Sequence, residues 1–120
     1  MDKKILIVDD AAFMRMMVKD SLTKSGYTNI IEASDGEMAC NMYNAEKPDL
    51  VIMDITMPNK TGIEALRDIK AADASAKIIM CSAMGQEAMV VEAIKLGALD
   101  FIVKPFKPER IIQTISKVLG

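Results

Sequence analysis

Histidine is missing from this 120-residue chain, and the absence removes several chemistries at once. Without an imidazole there is no His-ligated zinc, no Ser-His-Asp or Cys-His nucleophile pair and no phosphohistidine carrier. A phosphoryl group held here must sit on a carboxylate or a hydroxyl. Cysteine is nearly as scarce. Cys40 and Cys81 form no CxxC pair, and both read as buried thiols rather than as a disulfide or a metal clamp. Long apolar runs are lacking too: the short N-terminal one is flanked by Asp2 and Asp9-Asp10, which is neither a signal peptide nor a membrane span. A cytoplasmic location is expected. Charge of one sign is not concentrated anywhere, and the formal balance is −2, so neither nucleic acid nor a membrane surface is an expected partner. Neither GxxxxGK[ST] nor GxGxxG occurs, and the turn after the first apolar run is acidic. A nucleotide or flavin site is thereby disfavoured.

What the chain does contain is a set of short apolar runs, each ending in a polar residue. Ile5-Leu6-Ile7-Val8 leads into Asp9-Asp10, Leu50-Val51-Ile52-Met53 into Asp54, Ile78-Ile79-Met80-Cys81 into Ser82, and Phe101-Ile102-Val103 into Lys104-Pro105. Short β-branched runs separated by longer amphipathic stretches predict buried parallel strands joined by helical crossovers. Strands are expected near 4–8, 29–33, 49–53, 77–81 and 99–103, with helices near 12–25, 36–46, 61–72, 86–96 and 107–118. Met14, Met17, Val18 and Leu22 share a helical spacing that predicts one buried face. Gly26 and Gly97 are the expected helix stops, and Pro108 sits in the first turn of the last helix. Strict alternation gives one α/β domain over residues 1–120, a doubly wound sheet with helices on both faces. Periodicity does not choose the strand order.

In a parallel sheet all strand C-termini lie on one edge, where open α/β sheets bind ligands. Asp9, Asp10, Asp54, Ser82 and Lys104 should therefore meet in one cleft. Each has a plain alternative, an Asp capping a helix or a solvated lysine. Crowded carboxylates repel by about 4 kcal/mol per pair at 4 Å and an effective dielectric near 20, unless a cation or a raised pKa offsets them. Oxygen ligands alone favour Mg²⁺. A carboxylate beside it can attack an activated phosphorus, and Lys104 and Ser82 can hold the phosphoryl oxygens. Pro105 restrains the backbone of Lys104, through a peptide bond that sequence leaves open as cis or trans.

The acidic pair Asp9-Asp10, the stretch Asp54-Ile55-Thr56-Met57-Pro58 with Gly62 beyond, Ser82-Ala83 and Lys104-Pro105-Phe106 together resemble the receiver domain of two-component response regulators, over essentially the whole chain. Val8-Asp9-Asp10-Ala11-Ala12-Phe13-Met14-Arg15 is most similar to the stand-alone chemotaxis members. The resemblance implies a flavodoxin-like (βα)5 fold with strand order 2-1-3-4-5 and a switch rather than an enzyme. It implies that Asp54 takes a phosphoryl group from a phosphohistidine kinase. Asp10, Asp54 and the Thr56 carbonyl would bind Mg²⁺ directly and Asp9 through water, while Ser82 and Lys104 hold the phosphoryl group. Ser82 and Phe101 would be the switch residues, remodelling the face of the fourth helix, fifth strand and fifth helix.

Two positions depart from the family's common pattern. Phe101 stands where many chemotaxis members have tyrosine, so switching should rest on packing without a phenolic hydrogen bond. Met84 stands where a group that places the hydrolytic water is often found, and is expected to slow phosphoryl loss. Met89 and Val90, read as lying outside a face used by Val91 and Ile94, would join Leu99 and Phe101 in an apolar partner surface. The implied partners of the expected monomer are a chemotaxis-type histidine kinase, a flagellar motor switch protein and an aspartyl-phosphate phosphatase. The rival readings are a single-domain phosphorelay regulator and a small Mg²⁺-dependent phosphohydrolase, for which the chain has no spare length to build a substrate pocket.

Overall fold

In the computed structural model, which describes residues 3–119, the side chains of each inner strand divide between two cores. Met1, Asp2 and Gly120, and with them the Asp2 flank and the outer bounds of the expected 1–120 domain, lie outside the described residues. The order of elements is β1 (Ile5–Val8), α1 (Ala12–Lys24), β2 (Ile30–Ala33), α2 (Gly36–Glu46), β3 (Leu50–Asp54), α3 (Gly62–Ala72), β4 (Ile78–Ser82), α4 (Glu87–Lys95), β5 (Asp100–Val103) and α5 (Pro108–Leu119). All five strands pair in parallel, in the order β2-β1-β3-β4-β5. The expected fold and order are those observed, with most strand limits displaced by one residue, so that Asp54 and Ser82 end their strands rather than follow them.

Period-2 alternation explains the layers. Leu6, Val8, Val51, Met53, Ile78 and Met80 point to one side, where they meet Tyr43 of α2, Leu66 and Ile69 of α3 and Ala93 of α4. Ile5, Ile7, Leu50, Ile52, Ile79 and Ile102 point to the other and meet Val18 and Leu22 of α1 and Ile111 and Ile115 of α5. Both faces of the sheet are thus covered, and each fully buried aliphatic side chain contributes on the order of 2 kcal/mol of transfer free energy.

Local chemistry ends the helices where the sequence indicates. Gly26 and Gly97 take the left-handed conformation just after α1 and α4, and Pro108 opens α5. Thr61 and Glu64 form a reciprocal capping box at the start of α3, which satisfies two otherwise orphaned amides. The Lys104–Pro105 peptide is cis.

Three expectations of burial are corrected. Met17 is exposed and Met14 only half-buried, because the inward stripe of α1 is Val18, Ser21 and Leu22, with Met17 beyond its edge, about 100° from Val18 around the helix. Cys40 is only half-buried, whereas Cys81 is enclosed by the sheet. On α4 the faces are exchanged: Val90 and Ala93 pack on the core while Val91 and Ile94 are exposed. Alanine lets the helix approach the sheet closely, and two equally apolar faces gave hydrophobicity no means of choosing.

Candidate functional site

The register brings the predicted residues to one edge. Val8 pairs with Met53, Asp54 with Cys81 and Ser82 with Val103, so the C-terminal ends of β1, β3, β4 and β5 are level. Backbone bonds tie the segments beyond them: the Ile55 amide donates to the Cys81 carbonyl at 3.1 Å and the Lys104 amide to the Ser82 carbonyl at 2.7 Å. Asp9, Asp54 and Ser82 are buried at this edge, and Asp10 is exposed beside them.

Asp9 has both oxygens engaged. Oδ1 accepts the Ala11 amide at 2.9 Å and Oδ2 accepts from Lys104 Nζ at 2.9 Å. The capping alternative does not hold for this aspartate, because Ala11 is the N-cap of α1 and no side chain caps it; one Asp9 oxygen braces the turn ahead of the helix while the other meets Lys104. Arg15 adds a second brace, donating from Nη1 to the Asp9 carbonyl and from Nε to Glu32.

Asp54 is held differently. Its Oδ1 accepts the Ile55 amide at 3.0 Å and lies 3.3 Å from Lys104 Nζ. Oδ2 accepts none of the chain's hydrogen bonds, and because no fully buried side-chain oxygen among the described residues lacks a partner, it is open to solvent. One oxygen is fixed and the other is presented, as an attacking carboxylate requires.

The charges are poorly compensated. Burial pushes the Asp54 carboxyl above its ordinary range, Lys104 opposes this, and the charge of Asp9 adds to it. Burial also works against the Lys104 ammonium, but its bond to Asp9 and the charges of Asp54 and Asp9 outweigh burial and keep it above the usual lysine value. Oxygens of Asp9, Asp10 and Asp54 lie within 4.8 Å of one another. Three carboxylates against one ammonium leave two negative charges, which one divalent cation matches. Cys81 supplies no thiolate, since burial pushes its pKa up to about 12. The donor set is therefore all oxygen and fits Mg²⁺ better than a softer metal.

Ser82, Val90 and Phe101 share an apolar groove of about 740 Å³ between α4 and β5, with Val91, Ile94 and Val103 on its walls. Met84 lines its mouth and is 81% exposed. Leu99 is exposed but lies outside the groove lining, its amide bonded to the Ile78 carbonyl at the opposite end of the strands. Thr56 is exposed, and its hydroxyl accepts from Gln86 Nε2 at 2.8 Å. Gln86 and the bracing role of Arg15 escape sequence reasoning, because a polar residue ahead of a helix or an arginine in its first turn carries no distinguishing pattern.

The family model for the response regulator receiver domain matches residues 5–116. The chain is 59% identical over 118 residues to chemotaxis protein CheY of Thermotoga maritima, covering 98% of each. It is 58% identical over 120 residues to chemotaxis protein CheY of Bacillus subtilis, covering all of both, and 52% identical over 117 residues to protein CcdB of B. subtilis, covering 98% of each. Among solved structures, the receiver domain of NtrX from Brucella abortus superposes with a TM-score of 0.92 at 34% identity, covering 97% of this chain and 98% of that one.

Proposed function

The chain belongs to the response regulator receiver family, and on that premise we propose that it is a phosphoryl-operated switch with Asp54 as the acceptor. The observation that carries this reading is the asymmetry of Asp54, one oxygen fixed by the Ile55 amide beside Lys104 and the other open. The open oxygen attacks phosphorus in line, an O–P bond forms, and the P–N bond to the donor histidine breaks with its electron pair returning to the imidazole. Lys104 exchanges its contact with Asp9 for the phosphoryl oxygens, and the Ser82 hydroxyl donates to the same group. Asp10, Asp54 and the Thr56 carbonyl would hold Mg²⁺, with Asp9, already engaged twice, beside them. When bound, the cation supplies neutralisation of the charge that gathers on the phosphoryl oxygens. No other substrate chemistry is assigned, since the groove beside the site is apolar and has no carboxylate of the acidic cluster in its lining.

The output follows from continuity between Ser82 and that groove. When Ser82 moves toward the phosphoryl group, space opens for Phe101 to turn inward, changing the wall formed with Val91, Ile94 and Val103. Such a surface suits an apolar helix or peptide. By its similarity to chemotaxis proteins, the expected donor is a chemotaxis-type histidine kinase, the target a flagellar motor switch protein, and the terminator an aspartyl-phosphate phosphatase. No helix among the described residues is long and apolar enough to cross a membrane.

The deciding experiment is incubation with acetyl phosphate and Mg²⁺, followed by mass measurement and hydroxylamine treatment. A gain of one hydroxylamine-labile phosphoryl group, lost in Asp54→Asn, supports the switch. Steady turnover of small phosphate esters would replace it with a hydrolase.

A further inference from the structure

The loop between β4 and α4 is held by a single side chain. No backbone hydrogen bond among the described residues ties Ala83, Met84 or Gly85. Gly85 has a positive φ of 90°, and Ala83, Met84 and Gly85 are all exposed. Gln86 ends this loop in the N-cap position of α4, yet its side chain does not cap the helix. Its carboxamide makes one long contact within the helix, Nε2 to Met89 Sδ at 4.0 Å, and two short ones outside it. Oε1 accepts the Ala83 amide at 2.6 Å, and Nε2 donates to Thr56 Oγ1 at 2.8 Å.

These two contacts flank the acceptor. Ala83 follows Ser82, and Thr56 lies two residues beyond Asp54. A carboxamide is planar and rigid, so one group bonded at both ends fixes the spacing between the two loops that border the carboxylates. We propose that Gln86 is a positioning residue of this site, a latch that joins the loop after β4 to the loop after β3 and holds the resting form. The proposal rests on the receiver reading above. Any displacement of Ser82 toward a phosphoryl group carries the Ala83 amide off Gln86 Oε1, so the latch opposes the switch by about one net hydrogen bond. Losing it shifts the resting equilibrium toward the form that holds a phosphoryl group, without a new contact to that group.

The test uses beryllofluoride with Mg²⁺ as the phosphoryl probe, with binding followed by NMR on the whole chain. Gln86→Leu keeps the size and removes both polar atoms; Gln86→Asn keeps the amide one methylene too short. Both are expected to bind the probe about five- to tenfold more tightly than wild type, as the loss of about one hydrogen bond from the resting form implies. In the absence of the probe, both should also exchange the Ala83 amide proton faster. Thr56→Val removes the other anchor, and combined with Gln86→Leu it should bind no more tightly than Gln86→Leu alone. Unchanged or weaker binding in the Gln86 variants, or full additivity with Thr56→Val, overturns the latch while acetyl phosphate labelling of wild type stands. If wild type itself is not labelled, the receiver reading fails, and the latch fails with it.

Discussion

Lys104 Nζ stands 3.3 Å from Asp54 Oδ1 although the two residues come from different strand ends. The ammonium therefore occupies the acidic cleft before any cation or phosphoryl group does, and it has opposite effects on the two. Lys104→Met should lower the rate of labelling by acetyl phosphate by roughly 100-fold, the usual cost of losing one preorganised donor to a developing anion. The same variant should bind Mg²⁺ more tightly, because a competing positive charge is gone. Mass-detected labelling and an NMR titration with Mg²⁺ check the pair, and a fall in both would show that the lysine merely supports the fold.

Asp54 makes the site unfavourable to stability. Its pKa is raised by burial and by Asp9 against the pull of Lys104, so its contribution to stability is fully present below the unfolded carboxylate value, near 3.9, and is lost as pH rises through the folded value. Asp54→Asn should melt at a higher temperature than wild type at pH 7, with the gap closing as pH falls through the raised folded value of Asp54 and already closed by about pH 4. Mg²⁺ should raise the melting point of wild type at pH 7 and not that of the variant. Calorimetry across pH, with and without Mg²⁺, reads both effects.

Gly62 is needed for space rather than flexibility. Its amide donates to the Ile55 carbonyl at 2.7 Å, and a Cβ there would collide with the Asp54 carbonyl and sit 2.9 Å from Ile55 Cα. Gly62→Ala should destabilise by about 1–3 kcal/mol, as overpacking does, and slow labelling because the peptide that carries the acceptor is displaced. Denaturant unfolding beside a labelling time course tests this, and an unchanged midpoint would refute it.

The two thiols should separate cleanly. Burial lifts Cys81 to about 12 and Cys40 by less, so at pH 8 an aromatic disulfide reagent should modify Cys40 slowly and leave Cys81 untouched until the chain unfolds. Peptide mapping by mass spectrometry gives the result directly.

Met84 is 81% exposed at the mouth of the groove, where a carboxylate could orient water toward the acyl phosphate. Met84→Glu should shorten the lifetime of the Asp54 phosphate at least threefold, a modest fraction of the roughly 100-fold or more available to a well-placed base. An equal lifetime in both proteins removes any role for the thioether.

The strands were readable because their residues must satisfy two cores at once. In β1, Ile5 and Ile7 serve one layer and Leu6 and Val8 the other, and such continuous apolar runs have few alternatives in so short a chain. The polar residue closing each run was readable for the same reason, since an ionisable group survives at the end of a buried strand only where the edge offers a partner. The helices were less so. On α4, Val90 and Val91 are chemically the same, and only the packing of Ala93 onto the sheet shows which one faces inward.

Residue types and their spacing by themselves determined the alternating α/β plan, the helix stops at Gly26 and Gly97 and the polar residues that close the apolar runs, because these depend on local dihedral preference and burial period. The tertiary structure alone decided which Asp54 oxygen is held and which is open, that Asp9 is engaged by both Ala11 and Lys104, and that Gln86 spans two loops. Those outcomes depend on distances of about 3 Å between segments far apart in the chain, and no local pattern of residues encodes such distances.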